Sequence, residues 1–345
     1  MSDRDPLPPE EPSGRPWQTS GPVAEADVVA LRDFTHDLRA LDHRYGGLRS
    51  CAEVTDRLPS ALALLSRPAH DRIVVPLRTA VADLFNLVAW TSFDVGRVGD
   101  SLAHFGTALK LASSIGHDAL MANIYYRLGR VWLHHNAPGP ALAEFRLGER
   151  AARRAGSALA LAVVNVNQAW AYAHMGMEHE ALALLSDVPT TFAHAQGEPV
   201  SDWAAFFTPA DLSGMTGVIH TQLGQSVDPR FVELAVPALD SAWESYPAEM
   251  VRSRAFCLVA LATCHLLDDQ VDTAIELGGR AVALCEGLES ARVVERLRPL
   301  RNEALRRRNR TDAAALVERI GRLRAVVVGL PRPPAGPWIR TRPRR

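Results

Sequence analysis

Residues 129–145, GRVWLHHNAPGPALAEF, decide the fold, because the same pattern occurs 40 residues earlier and 40 residues later. The earlier copy is AWTSFDVGRVGDSLAHF at 89–105, and the later copy is AWAYAHMGMEHEALALL at 169–185. Each copy begins with Ala or Gly, has Ser, Trp or Tyr three positions on, Gly or Asn seven on, and Phe or Leu sixteen on. Three copies at one fixed period predict a protein built from repeated structural units.

Each copy predicts two antiparallel helices. The small residues Ala89, Gly129 and Ala169 let two backbones approach where the helices cross. Phe105 and Phe145 in the second helix fill the space around that crossing. One such pair cannot bury its apolar face alone, so at least about three must stack.

The first helix of each copy should end at Gly96, Asn136 or Gly176, since Gly and Asn best tolerate the left-handed backbone of a helix C-terminus. The spacing of small, aromatic, Ala and Phe positions resembles that of a tetratricopeptide repeat, whose usual length is about 34 residues. We therefore predict an all-α protein, a right-handed α-solenoid of tetratricopeptide-like helix-turn-helix repeats.

The domain organisation follows from composition and from the helical pattern. Residues 1–23 are Pro-rich and acidic and should be disordered, because they have little apolar surface to bury. Residues 24–325 should form the solenoid, with two leading helices over 24–66, repeats over about 72–288 and capping helices over 290–324. Residues 326–345 form a tail rich in Pro and Arg.

The composition argues for a soluble binding protein. Among the 345 residues, 47% are hydrophobic and the formal net charge is −1. No stretch resembles a signal peptide, and no uninterrupted apolar run approaches the ~18–20 residues of a membrane span, so we expect a cytoplasmic protein without a membrane partner. The four cysteines lack metal-ligand spacing, and no motif of a hydrolase, kinase or nucleotide-binding enzyme is present. We expect no enzymatic activity, metal or cofactor.

The concave face of such a solenoid is lined by the first helix of each pair, and it is the candidate binding surface. The residues predicted to face it are Trp90, Arg130, Trp170, Tyr126, Asn86, Asn123 and His134. Trp, Tyr and Arg dominate interface hot spots, so these residues favour binding of a protein or peptide. The alternative is that Trp90 and Trp170 pack against the N-terminal helices or against one another. On the groove interpretation, replacing both indoles would leave stability nearly unchanged.

The basic C-terminal end supports a second hypothesis. Residues 292–345 contain 16 Arg against 4 Asp and Glu. The candidates for contact with nucleic acid phosphates are Arg306, Arg307, Arg308 and Arg310, together with the terminal Arg340, Arg342, Arg344 and Arg345. No recognition helix accompanies them, so a solvated tail or pairing with the acidic remainder of the chain is favoured. We do not expect direct contact with DNA.

Two segments carry a resemblance to a known family. The first segment is LDHRYGG at 41–47, and the second is the region 203–217, which ends in DLSGMTG. Both are similar to the tetratricopeptide regulatory proteins of actinobacteria. These include the C-terminal sensor halves of XRE-type helix-turn-helix transcriptional regulators, and the resemblance covers about residues 24–325. It implies a non-enzymatic protein of transcriptional or developmental regulation that binds a protein or peptide. A DNA-binding domain precedes this region in XRE-type members, whereas only the Pro-rich 1–23 precedes it here. We therefore expect a DNA-binding regulator as partner and leave a homodimer open.

Overall fold

The computed structural model describes residues 17–18, 20–45, 47–200, 203–286, 288 and 290–328. These residues form fifteen α-helices and no β-strand, apart from an isolated parallel bridge between Val23 and Ala69. In chain order the helices are α1 (Glu25–Tyr45), α2 (Gly47–Leu64), α3 (Asp71–Asp94), α4 (Val98–Ser114), α5 (Asp118–His134), α6 (Pro138–Ala155), α7 (Ala158–His174), α8 (Glu178–His194), α9 (Pro209–Ser226), α10 (Val232–Ser245), α11 (Val251–Leu267), α12 (Val271–Cys285), α13 (Ala291–Arg296), α14 (Arg298–Leu305) and α15 (Thr311–Val328). The predicted all-α class is confirmed.

The helices from α3 to α12 form five successive pairs. Each odd-numbered helix packs against the even-numbered helix that follows it, from α3 with α4 to α11 with α12. Short turns join most partners, so the two helices of a pair run antiparallel. Neighbouring pairs also contact one another, α4 with α5 and α6 with α7. The fourth pair, α9 and α10, is irregular because a 3-10 turn at Pro229–Phe231 separates its helices. This arrangement is the helical-repeat solenoid that the 40-residue period predicts.

The first helix of three pairs ends as the sequence predicts. Gly96, Asn136 and Gly176 have φ of +82°, +56° and +69°, in the left-handed region. The next amide then bonds back to the carbonyl five residues earlier, as Ala137 N does to Trp132 O at 3.0 Å. This bond satisfies a carbonyl that the helix itself leaves unpaired. The prediction of helix ends at these three residues is confirmed.

Small residues provide the close approach between paired helices. A Cβ atom placed on Gly129 would lie 2.7 Å from Cζ of Phe145, which is fully buried. Gly217 has the same relation to Leu239 in the fourth pair, where the Cδ2 atom would lie 2.7 Å away. Only glycine therefore fits at these two crossings, which explains why the first position of the repeat is small.

The N-terminal segment is ordered further towards the N-terminus than the sequence predicts. Of the predicted disordered segment 1–23, residues 1–16 and 19 lie outside the described residues. Trp17 is buried and packs edge-on against Phe34, with ring centroids 5.5 Å apart. The Asp27 carboxylate accepts hydrogen bonds from the amides of Gln18 and Ala24. The expectation of disorder up to residue 23 is therefore wrong, because one large indole and one carboxylate anchor this segment to α1.

The cap also differs from the predicted pair of helices. Its first helix is broken at Leu297 into α13 and α14, and Pro299 lies in the first turn of α14. Proline has no amide hydrogen to donate and disfavours continuation of a preceding helix, so a new helix begins there. The tail beyond residue 328 lies outside the described residues.

One described helix has the length and composition of a membrane span. This helix is α3, and 67% of its most apolar stretch is buried inside the protein. The core helix of a soluble protein passes the same test, so this observation is weak support for a membrane segment.

Candidate functional site

The predicted groove residues lie on the first helices of three successive repeats. They are Asn86 and Trp90 on α3, Asn123, Tyr126, Arg130 and His134 on α5, and Trp170 on α7. Six of them are buried and Arg130 is half-buried. The repeat geometry therefore brings them to one inner face, but most of their side chains are buried.

The C-terminal cap covers this inner face. The guanidinium carbon of Arg292 lies 4.4 Å from the ring centroid of Trp90, and that of Arg296 lies 4.4 Å from the ring centroid of Trp170. The two indoles are only 8% and 5% exposed. The expected open groove is therefore wrong, because α13 folds back over α3 and α5. The sequence interpretation did not anticipate a cover from the cap.

A buried group of charges holds α13 in this position. Arg292 Nε lies 2.6 Å from Asp94 Oδ1, the Ser290 hydroxyl donates to the same oxygen, and Arg252 Nη2 lies 3.5 Å from Asp94 Oδ2. Burial alone would raise the pKa of Asp94, but the two guanidiniums and the hydrogen bonds outweigh burial and lower the pKa from 3.8 to about 2. The charged carboxylate therefore joins the first repeat, the fifth repeat and the cap. We call Asp94, Arg252, Ser290 and Arg292 the cap cluster.

A central cavity of about 210 Å³ lies between the cap and the inner helices. Its lining includes Arg39, Arg127, Arg130, Arg252, Arg292 and Arg296, the acids Asp42, Asp211 and Glu249, and the aromatic residues Trp90, Tyr126, Phe206, Phe207, Tyr246 and Phe256. A second cavity of about 250 Å³ shares Tyr126 and Phe206 with it. A third of about 70 Å³ shares Val218, Phe256 and Arg296. The inner face is thus a row of three adjoining spaces.

The predicted residues are divided among these spaces. Trp90, Tyr126 and Arg130 line the central cavity, Asn123 lines the second, and His134 and Trp170 line the third. Asn86 lies behind the lining. Its amide donates to Asn123 Oδ1 at 3.0 Å, and its carbonyl accepts from Arg127 Nη1 at 2.9 Å. Asn86 therefore positions Asn123 and Arg127 and does not itself reach the cavity.

The arginines of the central cavity are only partly neutralised. Arg39 binds Asp83 at 2.7 Å, and Arg252 and Arg292 bind Asp94. Burial lowers the pKa of Arg127 to about 10, and burial together with the nearby charge of Arg130 lowers the pKa of Arg296 to about 9. Both guanidiniums remain charged at neutral pH, so the cavity has a positive character.

Two histidines and a cysteine near the cavities are uncharged at neutral pH. Burial, followed by the charges of Arg130 and Arg296, lowers the pKa of His134 well below 6.5. Burial likewise lowers the pKa of His174 to about 4 and raises the pKa of the Cys257 thiol to about 12. A neutral imidazole and a protonated thiol are poor groups for acid–base or nucleophilic chemistry at pH 7. Among the described residues, no cluster of His, Cys, Asp and Glu could hold a metal ion.

Three of the four cap arginines that were candidates for nucleic acid binding make ion pairs within the chain. Arg306 binds Glu303 at 2.9 Å, and Arg307 binds Asp269 at 3.1 Å. Arg310 binds both Asp272 and Asp312. These contacts agree with the alternative of intramolecular pairing. The terminal arginines at 340–345 lie outside the described residues.

Sequence reasoning missed the charged residues that complete the site. The missed residues reach the inner face or the cap cluster, and they are Asp94, Arg127, Arg292 and Arg296. A signal was present for two of them: Asp94 and Arg127 occur in otherwise apolar stretches of first helices, where a lone charge requires a buried partner. No local signal points to Arg292 or Arg296, because their contacts lie far away in sequence.

Comparisons with known proteins identify no family. No family model matches the chain, and no curated protein matches it in sequence. Among solved structures, the Rap protein complexed with competence and sporulation factor is similar, with a TM-score of 0.49 and 8% sequence identity. The match covers 88% of this chain and 99% of the Rap chain. A likeness at this level does not identify a ligand or a partner.

Proposed function

We propose that this chain is a non-enzymatic regulatory protein that binds a short peptide, or an extended segment of a protein partner, in the central cavity. The observation that carries the proposal is the lining itself. Aromatic rings and guanidinium groups from four separate parts of the chain converge on one partly open cavity. These residue types dominate the energetics of protein recognition sites.

The size of the cavity limits the ligand. An apolar cavity of about 150 Å³ already admits benzene, so about 210 Å³ admits one or two amino-acid side chains. An α-helix with its side chains is about 10–12 Å across and needs more room. A short extended peptide, with further groups in the adjoining cavities, therefore fits better than a helix.

Unpaired polar atoms on the inner face support a polar ligand. Within the part of the chain that the structure describes, Arg130 Nε, His134 Nε2 and Arg296 Nε have no protein hydrogen-bond partner. A buried polar atom without a partner costs about 1–3 kcal/mol. A peptide, with its own amides and carbonyls, offers partners of both kinds.

The regulatory role rests on the sequence resemblance. On that basis the ligand-bound state would alter binding to a DNA-binding regulator in the cytoplasm, in transcription or development. Asp211, in the segment that carries the resemblance, accepts a hydrogen bond from the Tyr246 hydroxyl at 2.9 Å and lines the cavity. The same segment therefore links the resemblance to the proposed site.

The test is affinity selection from a synthetic library of free linear hexapeptides, read by mass spectrometry and followed by titration calorimetry. Met215 lines the central cavity, and Met215→Trp should fill it. Met177 lies on the outside, 37% exposed, so Met177→Trp is the matched control. We expect wild type and Met177→Trp to select the same peptides and Met215→Trp to select none. Selection of the same peptides by Met215→Trp, or no selection by wild type, would overturn the proposal.

A further inference from the structure

The charge balance of the central cavity indicates what kind of peptide it takes. Three lining arginines, Arg39, Arg252 and Arg292, have carboxylate partners at 2.6–3.5 Å. The other three, Arg127, Arg130 and Arg296, have no ion pair with any described carboxylate. Arg127 is buried, and Arg130 and Arg296 are half-buried. A charge that is removed from water is costly unless it is paired, so half of the lining arginines lack the partner that would offset this cost.

The available acids do not fill that role. Asp211 already accepts hydrogen bonds from Thr208 and Tyr246, and Glu249 is exposed. Asp42 lies near Arg127 and the cap cluster, and its charge favours the charged forms of Arg127, Arg252 and Arg292. Asp211 is near enough for its charge to favour the charged form of Arg130, but among the described residues neither Arg130 nor Arg296 forms an ion pair with a carboxylate.

Arg130 and Arg296 meet at one aromatic ring. Their guanidinium carbons lie 5.0 and 4.4 Å from the ring centroid of Trp170, so they are no farther apart than the sum of those distances. Arg296 also lies 5.1 Å from the ring centroid of Phe256. Stacking on aromatic rings fixes the guanidinium planes and leaves their edges free to donate hydrogen bonds. Their Nε atoms are buried and unpaired among the described residues.

Hydrogen bonding elsewhere does not saturate the two side chains. Arg130 donates one bond, from Nη1 to Asn167 Oδ1 at 3.2 Å, and within the described chain Arg296 makes ring contacts alone. Burial, followed by repulsion from Arg130, lowers the pKa of Arg296 to about 9, as expected for a cation surrounded by too little negative charge. The donors of arginine match a carboxylate or a phosphate, and a carboxylate is the one that an unmodified peptide carries.

We propose that Arg130 and Arg296 bind a carboxylate of the ligand, so that the central cavity selects acidic peptides. This inference rests on the proposed function, because it names the chemistry of the ligand in the same cavity. The aromatic walls contact the rest of the peptide, and the two guanidiniums supply the charge that the chain leaves unpaired.

The experiment compares two hexapeptide libraries. The acidic library contains Asp and Glu, and the neutral library is a copy with Asn and Gln in their place. Each library is made once with free and once with amidated C-termini. The protein is used as wild type, Arg130→Gln, Arg296→Gln, Arg296→Lys and the control Arg153→Gln, whose side chain is 61% exposed on α6. Affinities are measured by calorimetry at two salt concentrations. Thermal melting without peptide shows whether each variant is folded.

We expect acidic peptides to bind wild type at least tenfold more tightly than their neutral copies, and this preference to weaken with salt. Arg130→Gln and Arg296→Gln should each lose that preference, Arg296→Lys should retain part of it, and Arg153→Gln should be unchanged. Arg296→Gln should melt at or above the wild-type temperature, because an unpaired buried charge is removed. If the neutral copies with free C-termini bind as tightly as the acidic peptides, and amidation abolishes their binding, the bound carboxylate is that of the peptide C-terminus.

Two results would overturn the inference, and they differ in what they imply. If neutral and acidic peptides bind equally with amidated C-termini as well as with free ones, and Met215→Trp still blocks both, the carboxylate site is wrong and the peptide cavity stands. If neither library yields a ligand, the proposed function fails together with the inference.

Discussion

Removal of the Arg292 side chain tests whether the cap cluster holds the inner face closed. Arg292→Ala leaves the fully buried Asp94 with Ser290 and with Arg252 at 3.5 Å. Breaking a buried ion pair by removing one partner costs about 3–5 kcal/mol. Arg252 still compensates part of the charge, so we expect about 3 kcal/mol. That loss should concentrate in α13, the helix that Arg292 attaches to α3.

Hydrogen exchange measured by mass spectrometry reports this local loss directly. Since each ~1.4 kcal/mol is a tenfold change in an equilibrium constant, amides in α13 and at the end of α3 should exchange roughly 100-fold faster in Arg292→Ala. The control is Arg153→Ala, which removes an exposed ion pair with Glu149 on α6 and should cost only about 0.3–0.5 kcal/mol. In an Asp94→Asn background, Arg292→Ala should cost much less than in wild type, because the carboxylate that Arg292 compensates is gone.

The reasoning is refuted if Arg292→Ala accelerates exchange in α13 no more than Arg153→Ala does. It is also refuted if the cost of Arg292→Ala is the same with Asp94 and with Asn at position 94. Either result would mean that apolar contacts, and not the cap cluster, hold α13 on the inner face.

Three further predictions follow from individual contacts. Gly129→Ala should lower the free energy of unfolding by about 1–3 kcal/mol, because its Cβ would enter the ring of Phe145. Gly106→Ala has no atom within 4 Å of the new Cβ, so it should raise the free energy of unfolding by up to ~1 kcal/mol. Urea unfolding of both variants measures the two changes. The low pKa of Asp94 stabilises the fold above pH 3.8, and that stability is lost as the pH falls towards 2. Wild type should therefore lose about 2 kcal/mol more than Asp94→Asn between pH 5 and pH 2, and equal losses in urea titrations would contradict the assignment. Trp90→Ala should lower the free energy of unfolding by about 3–5 kcal/mol, because the indole is only 8% exposed. A melting temperature equal to that of wild type would instead support the open groove expected from the sequence.

The repeat architecture is predictable from sequence because its determinants are local. Gly129 and Phe145 are 16 residues apart, and their contact is a direct consequence of two antiparallel helices joined by a short turn. Gly96, Asn136 and Gly176, which have a left-handed backbone, end their helices through their own local conformation. Periodicity identifies such positions, since each repeat presents the same local packing problem.

The enclosure of the inner face is not predictable in the same way. Arg292 meets Asp94 across 198 residues of sequence, and no periodic pattern relates the cap to the first repeat. The sequence places Trp90 and Trp170 on one face correctly, but whether that face is open depends on how far the solenoid curves. That curvature is a sum of small rotations between repeats, and no single residue specifies it.

Photo-crosslinking shows directly whether an acidic peptide binds inside the central cavity. A hexapeptide selected by wild type is made with a diazirine side chain, irradiated in complex with the protein, and the adducts are located by mass spectrometry. The account predicts adducts on cavity residues such as Tyr126, Met215 and Phe256, and their loss in Met215→Trp. Adducts confined to the outer helices α4, α6 and α8 would contradict it.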